Sequence, residues 1–155
     1  GDVFAAFSDR PEVLAVLEEP AFAAVFGPGS RAEVSLLGQL GEGGDAPIVS
    51  GQIDRLCVLD DKVLIVDYKT NRPPPDKIAD VPGSYIGQLA AYRALLQKIY
   101  QGKEVHCALL WTWDCRLMPL PQEVLDHAYV HSLVGSNAEN QACKVSVYPY
   151  VAMTG

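Results

Sequence analysis

Long apolar runs are the first feature that this sequence lacks. Its longest stretch made only of valine, leucine and isoleucine is residues 63–66, whereas a membrane-spanning helix needs about 20 apolar residues in succession. The first residues also lack the basic segment and apolar stretch of a signal peptide. The sequence therefore predicts a soluble, cytoplasmic protein with no membrane partner.

Positive charge is scarce as well. Lysine and arginine number 12 against 19 aspartates and glutamates, which gives a net charge of −7. Proteins that bind DNA on their own usually present a basic surface, because neutralising the phosphates releases condensed counterions. The composition therefore argues against autonomous DNA binding, unless metal ions or companion domains supply the positive charge.

The four cysteines include no Cys-x-x-Cys pair. That spacing argues against zinc, and a chain with 49% hydrophobic residues has enough core to fold without a disulfide framework. Cys57 and Cys107 lie in apolar, strand-like runs, where a thiol behaves as a small hydrophobic group. We expect reduced, buried thiols.

The hydrophobic pattern predicts one folded domain, or a fragment of a larger chain, since a fold of 155 residues buries about 70% of its unfolded surface. Periodicity and turn residues give the order α-β-β-β-α-β-α, an α/β fold with helices packed on a sheet. The helical segments are 12–18 with a further turn at 21–26, then 84–100 and 121–130; the strands are 31–37, 48–59, 63–70 and 105–113. The last strand is apolar on both faces, which predicts an interior position in the sheet.

Two carboxylates stand out in the predicted hairpin of the second and third strands. Period-2 geometry puts Asp67 and Lys69 on one face of their strand. A tight turn at residues 60–62 places Asp54 roughly opposite Asp67, with β-carbons about 5 Å apart. Like charges at that distance destabilise a sheet unless a cation lies between them. The pattern therefore predicts a divalent metal site.

Oxygen ligands favour Mg²⁺ or Mn²⁺, ions that suit a phosphate substrate. Glu33, on the first predicted strand, could complete the acidic cluster. Lys69 would orient a water molecule or neutralise developing charge. Together these residues are typical of a phosphodiesterase site.

A structural interpretation of the same residues stays open. Asp67 and Lys69 could form a solvated strand end, because Asp-x-Lys often occurs by chance. On the next helix, Gln88 and Tyr92 are i, i+4 neighbours on one face. They could border this site, or Tyr92 could be a core residue and Gln88 a boundary residue.

Three ordered motifs resemble those of the RecB-type nucleases, a branch of the PD-(D/E)XK nuclease superfamily. Residues 51–56 read Gly-Gln-Ile-Asp-Arg-Leu, residues 66–70 read Val-Asp-Tyr-Lys-Thr, and residues 88–92 read Gln-Leu-Ala-Ala-Tyr. Within that branch the chain looks most like the C-terminal nuclease domains of AddA-type helicase–nucleases, which act in bacterial double-strand-break repair. The similarity extends over residues 22–113.

The resemblance implies a restriction-endonuclease-like core, with a central mixed sheet flanked by helices. It also implies a Mg²⁺-dependent (or Mn²⁺-dependent) deoxyribonuclease, an exonuclease domain. The site residues that it implies are, as metal ligands, Asp54, Asp67 and the Tyr68 carbonyl, and, as catalytic residues, Asp67, Lys69, Glu33, Gln88 and Tyr92. Relatives often take a further ligand, typically histidine, from an upstream helix. The first predicted helix here offers only glutamates.

The resemblance also implies a context. The sequence contains no Gly-x-x-x-x-Gly-Lys-[Ser/Thr] motif, so the ATP-driven motor of a helicase–nuclease is absent. We expect residues 1–134 to form the nuclease domain of a larger bacterial, cytoplasmic protein, while residues 135–155 form a tail without a clear assignment. The helicase domains would deliver a single DNA strand, and an AddB-like subunit would be the partner. Two alternatives are a catalytically silent module that binds DNA or a partner, and a site that is incomplete without an upstream ligand.

Other candidate residues have structural interpretations that we favour. His127 and His131 are i, i+4 neighbours without a third ligand at zinc spacing, which favours a solvated helix end. His106 alternates with apolar residues in a strand and is expected to be structural. Trp111 and Trp113 share a predicted strand face and could stack on bases, but core packing is favoured for both.

Overall fold

A computed structural model gives the fold and describes residues 22–41, 45–46 and 48–128. In this part of the chain five strands form a mixed sheet in the order β1-β2-β3-β4-β5. The strands are β1 (Arg31–Gln39), β2 (Ile48–Val58), β3 (Lys62–Lys69), β4 (Glu104–Trp111) and β5 (Arg116–Leu120). The helices are α1 (Gly83–Ile99), the 3-10 turns η1 (Ala23–Phe26) and η2 (Ile78–Asp80), and residues 122–128. Within these ranges, no helix has the length and hydropathy needed to span a membrane.

The connections explain why the sheet is mixed. β1 with β2, β2 with β3, and β4 with β5 pair antiparallel, whereas β3 and β4 pair parallel. A parallel pair needs a long crossover, and α1 provides it between β3 and β4. The crossover places α1 across the end of β3, where the sequence changes from aliphatic to charged.

Both faces of the sheet are covered, which is why residues 63–66 in the middle of β3 are all aliphatic. Val63 and Ile65 belong to a large cluster under α1. Leu64 and Val66 point to the opposite face, where they join a smaller cluster under η1. The alternation continues into the polar end of the strand, so Asp67 is directed to the α1 side.

The pairing of β1 with β2 skips Glu33 and Asp54. The pairing register is the same on both sides of these residues, but Glu33 has φ 55°, in the left-handed region. Ile53 and Leu56 both belong to the cluster under α1, although a spacing of three would place them on opposite faces of a regular strand. The irregularity therefore shifts the alternation of side chains between the two faces of β2 at Asp54.

The predicted α/β architecture with a central mixed sheet is confirmed. The four predicted strands and the helix at 84–100 agree with the structure to within two residues at each end, and β4 is an interior strand. Within the predicted turn at 21–26, residues Ala23–Phe26 form the 3-10 turn η1, and residue 21 lies outside the described residues. The predicted helix at 12–18 and the last two residues of the helix at 121–130 lie outside the described residues.

The predicted order of elements was wrong in one respect, because it omitted β5. The residues before it, 112–115, form a turn in which Cys115 takes the left-handed conformation with φ 53°. Pro119, within β5, further reduces the strand-like character of the sequence. Proline is tolerated there because β5 pairs with β4 alone, at the border of the described sheet.

Candidate active site

Asp54 and Asp67 come together at the polar end of the β2–β3 hairpin. The β2–β3 register pairs Arg55 with Val66, so the two aspartates occupy the next position of that register. The ladder ends there, because Asp54 Oδ2 accepts a hydrogen bond of 2.7 Å from the backbone N–H of Tyr68. The Asp54 carboxylate thus takes the place of a backbone acceptor.

The two carboxyl groups affect each other electrostatically. Burial raises the pKa of Asp54 to about 6, and a hydrogen bond with Asp67 and the negative charge of Asp67 act in the same direction. The Tyr68 N–H and the Lys69 ammonium favour the charged form but do not offset the burial. A carboxyl group with a raised pKa next to another carboxyl group is a common feature of functional sites.

Lys69 lies on the same face as Asp67 and is held by three neighbours. Its Nζ is 2.8 Å from Asp67 Oδ2, donates to Gln88 Oε1 at 3.2 Å, and lies 4.2 Å from the centroid of the Tyr85 ring. An ammonium group has three donors. The structure therefore gives this ammonium a carboxylate, an amide and an aromatic ring as partners.

Helix α1 supplies one stripe of the site, at the i, i+3 and i+7 positions Tyr85, Gln88 and Tyr92. The Gln88 side chain links the stripe, since its Nε2 donates to Tyr92 Oη at 3.2 Å while its Oε1 accepts from Lys69. Burial raises the pKa of the Tyr92 hydroxyl, and hydrogen bonds from Gln88 and from the Gln52 backbone act in the opposite direction. Tyr92 is only 3% exposed, so it is both a core residue and a neighbour of the polar site.

The fit of a divalent cation can be judged from Asp67. Its Oδ2 is buried and accepts no hydrogen bond, because the nearby Lys69 ammonium makes an ion-pair contact without hydrogen-bond geometry. A buried carboxylate oxygen of this kind is normally satisfied. With Asp54 beside it, the donor set consists of oxygens, the ligands that Mg²⁺ and Mn²⁺ prefer. The two aspartates fit such an ion.

Two other residues implied by the resemblance are placed differently. Glu33 is exposed, and no three potential ligands among His, Cys, Asp and Glu come together within the described residues. The expected three-carboxylate cluster is therefore not formed among these residues, and Glu33 lies at a position that the β1–β2 pairing skips. Tyr68 contributes its N–H to Asp54, and a role for its carbonyl stays a prediction.

Sequence reasoning missed three residues that organise the site. Tyr85 contacts Lys69, and it was treated only as an apolar position of the helix. Gly51 was quoted in a motif, but its role is to leave room for Tyr92: a Cβ at Gly51 would overlap the phenol. Arg55 is 9% exposed and holds η1, donating to Val25 O at 3.3 Å and to Ser30 Oγ at 2.5 Å. The signal for Tyr85 was its position one helical turn before Gln88.

The remaining tryptophan and histidine candidates divide into core and surface residues. Trp111 is fully buried, as expected, but Trp113 is 55% exposed. Core packing of Trp113 was a wrong prediction, because β4 ends at Trp111 and the chain turns before Trp113. His106 lies 3.0 Å from Glu104 at the surface. His127 is exposed, and its expected neighbour at 131 lies outside the described residues.

The thiols that the structure describes are consistent with a reduced core. Cys57, Cys107 and Cys115 are free and buried. Burial raises the pKa of the Cys57 and Cys107 thiols, which lowers their reactivity. The fourth cysteine, Cys143, lies outside the described residues.

Comparisons with known proteins complete the description of the site. A sequence model of the PD-(D/E)XK nuclease superfamily matches residues 9–140. A solved structure, "Crystal structure of SSO0001", shares 14% sequence identity over 88% of this chain and 71% of the other, with a TM-score of 0.40. No curated protein sequence matches the chain.

Proposed function

The chain belongs to the PD-(D/E)XK nuclease superfamily, and on that premise we propose that it is a divalent-metal-dependent nuclease domain that hydrolyses phosphodiester bonds of DNA. The observation that carries the proposal is the arrangement of three side chains at one end of β2 and β3. Asp54 and Asp67 lie side by side, and the Lys69 ammonium is 2.8 Å from Asp67 Oδ2. The two aspartates offer oxygen ligands and Lys69 offers a positive charge, in the same order along the sequence as in the family motif.

Asp54 and Asp67 would hold Mg²⁺ or Mn²⁺. When bound, such an ion polarises a phosphoryl oxygen and increases the acidity of water. The fold keeps Asp67 buried and positions Asp54 through the Tyr68 N–H, so both carboxylates are preorganised before any ion arrives. Preorganised charge requires little rearrangement during the reaction.

Lys69 would stabilise negative charge that develops on the scissile phosphate, or orient the attacking water. Its ammonium is only partly shielded, with the side chain 17% exposed, so a phosphate can approach it. Gln88, which accepts from Lys69 and donates to Tyr92, would fix the direction of that ammonium. Tyr92 would support Gln88 from the core.

The finer assignment rests on the sequence motifs. We propose that the domain is of the RecB-like branch and of the AddA type, acting in double-strand-break repair on a single DNA strand that helicase domains deliver. An AddB-like subunit would complete the assembly in the bacterial cytoplasm. The net charge of −7 supports this division of labour, because an acidic domain gains from companion domains that hold the DNA.

A cleavage assay tests the proposal. A labelled single-stranded oligonucleotide is incubated with the domain in Mg²⁺, in Mn²⁺ and in EDTA. We expect cutting with either metal and none in EDTA. Asp67→Ala should abolish cutting while the fold is retained, since the change removes like-charge repulsion, and Lys69→Ala should slow it roughly 10²- to 10³-fold. Asp60→Ala, an exposed aspartate at the other end of the same hairpin, is the matched control and should cut normally.

One observation favours a second function, a catalytically silent module that binds DNA or a partner subunit. Only two carboxylates meet in the described part of the chain, which is fewer protein ligands than many nuclease sites have. Metal binding without cleavage would favour this alternative. If the domain does cut, cutting by Asp67→Ala at the wild-type rate would refute the assignment of the site to Asp67.

A further inference from the structure

We infer that Tyr85 is a positioning residue for Lys69, which it holds through a cation–π contact. The Lys69 ammonium lies 4.2 Å from the centroid of the Tyr85 ring, well within the distance of about 6 Å at which an aromatic face attracts a cation. For its kinetic consequences the inference rests on the proposed nuclease function. The contact itself can be tested without any cleavage.

The Tyr85 ring is fixed on two sides before it meets the lysine. Its hydroxyl donates to Asn71 Oδ1 at 2.8 Å, and its ring packs against Trp111 with a centroid distance of 6.3 Å and an interplanar angle of 44°. Trp111 is fully buried and pairs with Lys69 across β3 and β4. The ring is therefore anchored to β4 and to the segment that follows β3, and little conformational entropy is lost when it binds a cation.

An aromatic partner for Lys69 reduces competition between its ammonium group and a divalent ion for Asp67. Left with Asp67 alone, the Lys69 ammonium would compete with a divalent ion for the same oxygen, Oδ2. The Tyr85 face attracts the ammonium but is not a ligand that Mg²⁺ or Mn²⁺ prefers. Together with Gln88, Tyr85 can hold the Lys69 ammonium when a divalent ion is bound to Asp67. Lys69 then stays beside the site and remains available to a phosphate.

Two variants of Tyr85 separate the ring from its hydroxyl. Tyr85→Phe keeps the aromatic face and the packing on Trp111 but loses the hydrogen bond to Asn71. Tyr85→Leu loses the face as well. Tyr100→Leu makes the same chemical change at the other end of α1, about 22 Å away at 1.5 Å per residue, and is the matched control.

The first readout is the proton NMR signal of the Lys69 ε-CH₂ group, assigned by its loss in Lys69→Arg. Protons above an aromatic face are shifted upfield by its ring current. We expect that shift in the wild type, Tyr85→Phe and Tyr100→Leu, and its loss in Tyr85→Leu. An identical chemical shift in the wild type and Tyr85→Leu would overturn the inference, whether or not the domain cuts DNA.

The second readout is steady-state cleavage. Tyr85→Leu should lower kcat roughly three- to thirty-fold, the range that corresponds to a cation–π contact, with KM for the oligonucleotide changed less than about twofold, since no DNA contact is removed. Tyr85→Phe should restore kcat, and Tyr100→Leu should not alter it. A raised KM with unchanged kcat would indicate direct DNA binding by Tyr85 and would contradict a positioning role, as would a Tyr85→Phe variant as slow as Tyr85→Leu. If the wild type does not cut at all, the proposed function fails, while the NMR shift still decides the inference.

Discussion

The phenol of Tyr92 fills the space above Gly51 that any side chain at that position would need. A Cβ built on Gly51 would overlap Tyr92 Oη and lie 2.7 Å from its Cζ. Tyr92 is buried and accepts a hydrogen bond from Gln88. It therefore cannot move aside without disturbing Gln88, which contacts Lys69. This close approach connects a core position of α1 to a glycine of β2 and, through Gln88, to the candidate site.

Gly51→Ala should therefore destabilise the protein by about 1–3 kcal/mol, the usual cost of overpacking a core. Urea unfolding measures the change. Gly83→Ala is the matched control, because a Cβ there meets nothing within 4 Å and alanine favours a helix, so its effect should be neutral or stabilising. Adding Tyr92→Leu to Gly51→Ala should relieve part of the cost; strictly additive effects would contradict a direct clash.

Arg55 gives a second prediction about stability. It joins β2 to η1 through Val25 O and Ser30 Oγ, so we expect Arg55→Met to lower the free energy of unfolding by about 1–3 kcal/mol, because buried acceptors lose their donors. Arg72→Met, at an exposed arginine, should change it by less than about 0.5 kcal/mol. Equal stabilities of the two variants in urea would show that Arg55 is not a scaffold residue.

The raised pKa of Asp54 predicts that the stability of the metal-free protein depends on pH. Burial raises its pKa in the folded state from 3.8 to about 6, so the folded protein binds more protons than the unfolded chain between these values. The stability that protonated Asp54 contributes is complete below about pH 4 and is lost as the pH rises through 6.

Asn at this position stays neutral and retains an oxygen for the Tyr68 N–H. Relative to the wild type in EDTA, Asp54→Asn should therefore gain thermal stability as the pH rises from 4 to 7. The difference in Tm between the two proteins measures this effect. A difference in Tm that stays constant across this pH range would contradict the role given to Asp54.

The two tryptophans should differ in their fluorescence and in their contribution to stability. They are the only ones in the chain, so Trp113→Phe and Trp111→Phe each leave a single tryptophan. Trp111, fully buried, should emit at shorter wavelength and resist quenching by acrylamide, whereas Trp113, 55% exposed, should be quenched readily. Replacement by alanine should cost about 3–5 kcal/mol at Trp111 and less than about 0.5 kcal/mol at Trp113. Similar quenching of both would contradict the turn at residues 112–115.

Much of the fold and part of the site could be predicted because they depend on local rules. The tight turn at residues 60–62 fixes the β2–β3 register, and the register places Asp54 opposite Asp67. Period-2 geometry then directs Lys69 to the same face. Each step uses residues near one another in sequence, so the sequence pattern was sufficient to predict this part of the site.

Other features depend on contacts that no local pattern records. β5 was missed because its preceding turn has Cys115 at the left-handed position, where glycine or asparagine is the usual signal. Glu33 was expected near the aspartates, but it has a left-handed backbone and lies at a position that the β1–β2 pairing skips. Tyr85 reads as a core residue of an amphipathic helix, and only the crossover of α1 above β3 brings its ring to Lys69.

The most direct measurement is calorimetric titration of Mg²⁺ and Mn²⁺ into the domain, its Asp67→Ala variant and its Asp60→Ala control. If Asp54 and Asp67 form the metal site of a nuclease, the wild type and the control bind saturably and Asp67→Ala does not. Equal binding by all three proteins, or none by the wild type, would contradict a metal site at the end of the β2–β3 hairpin.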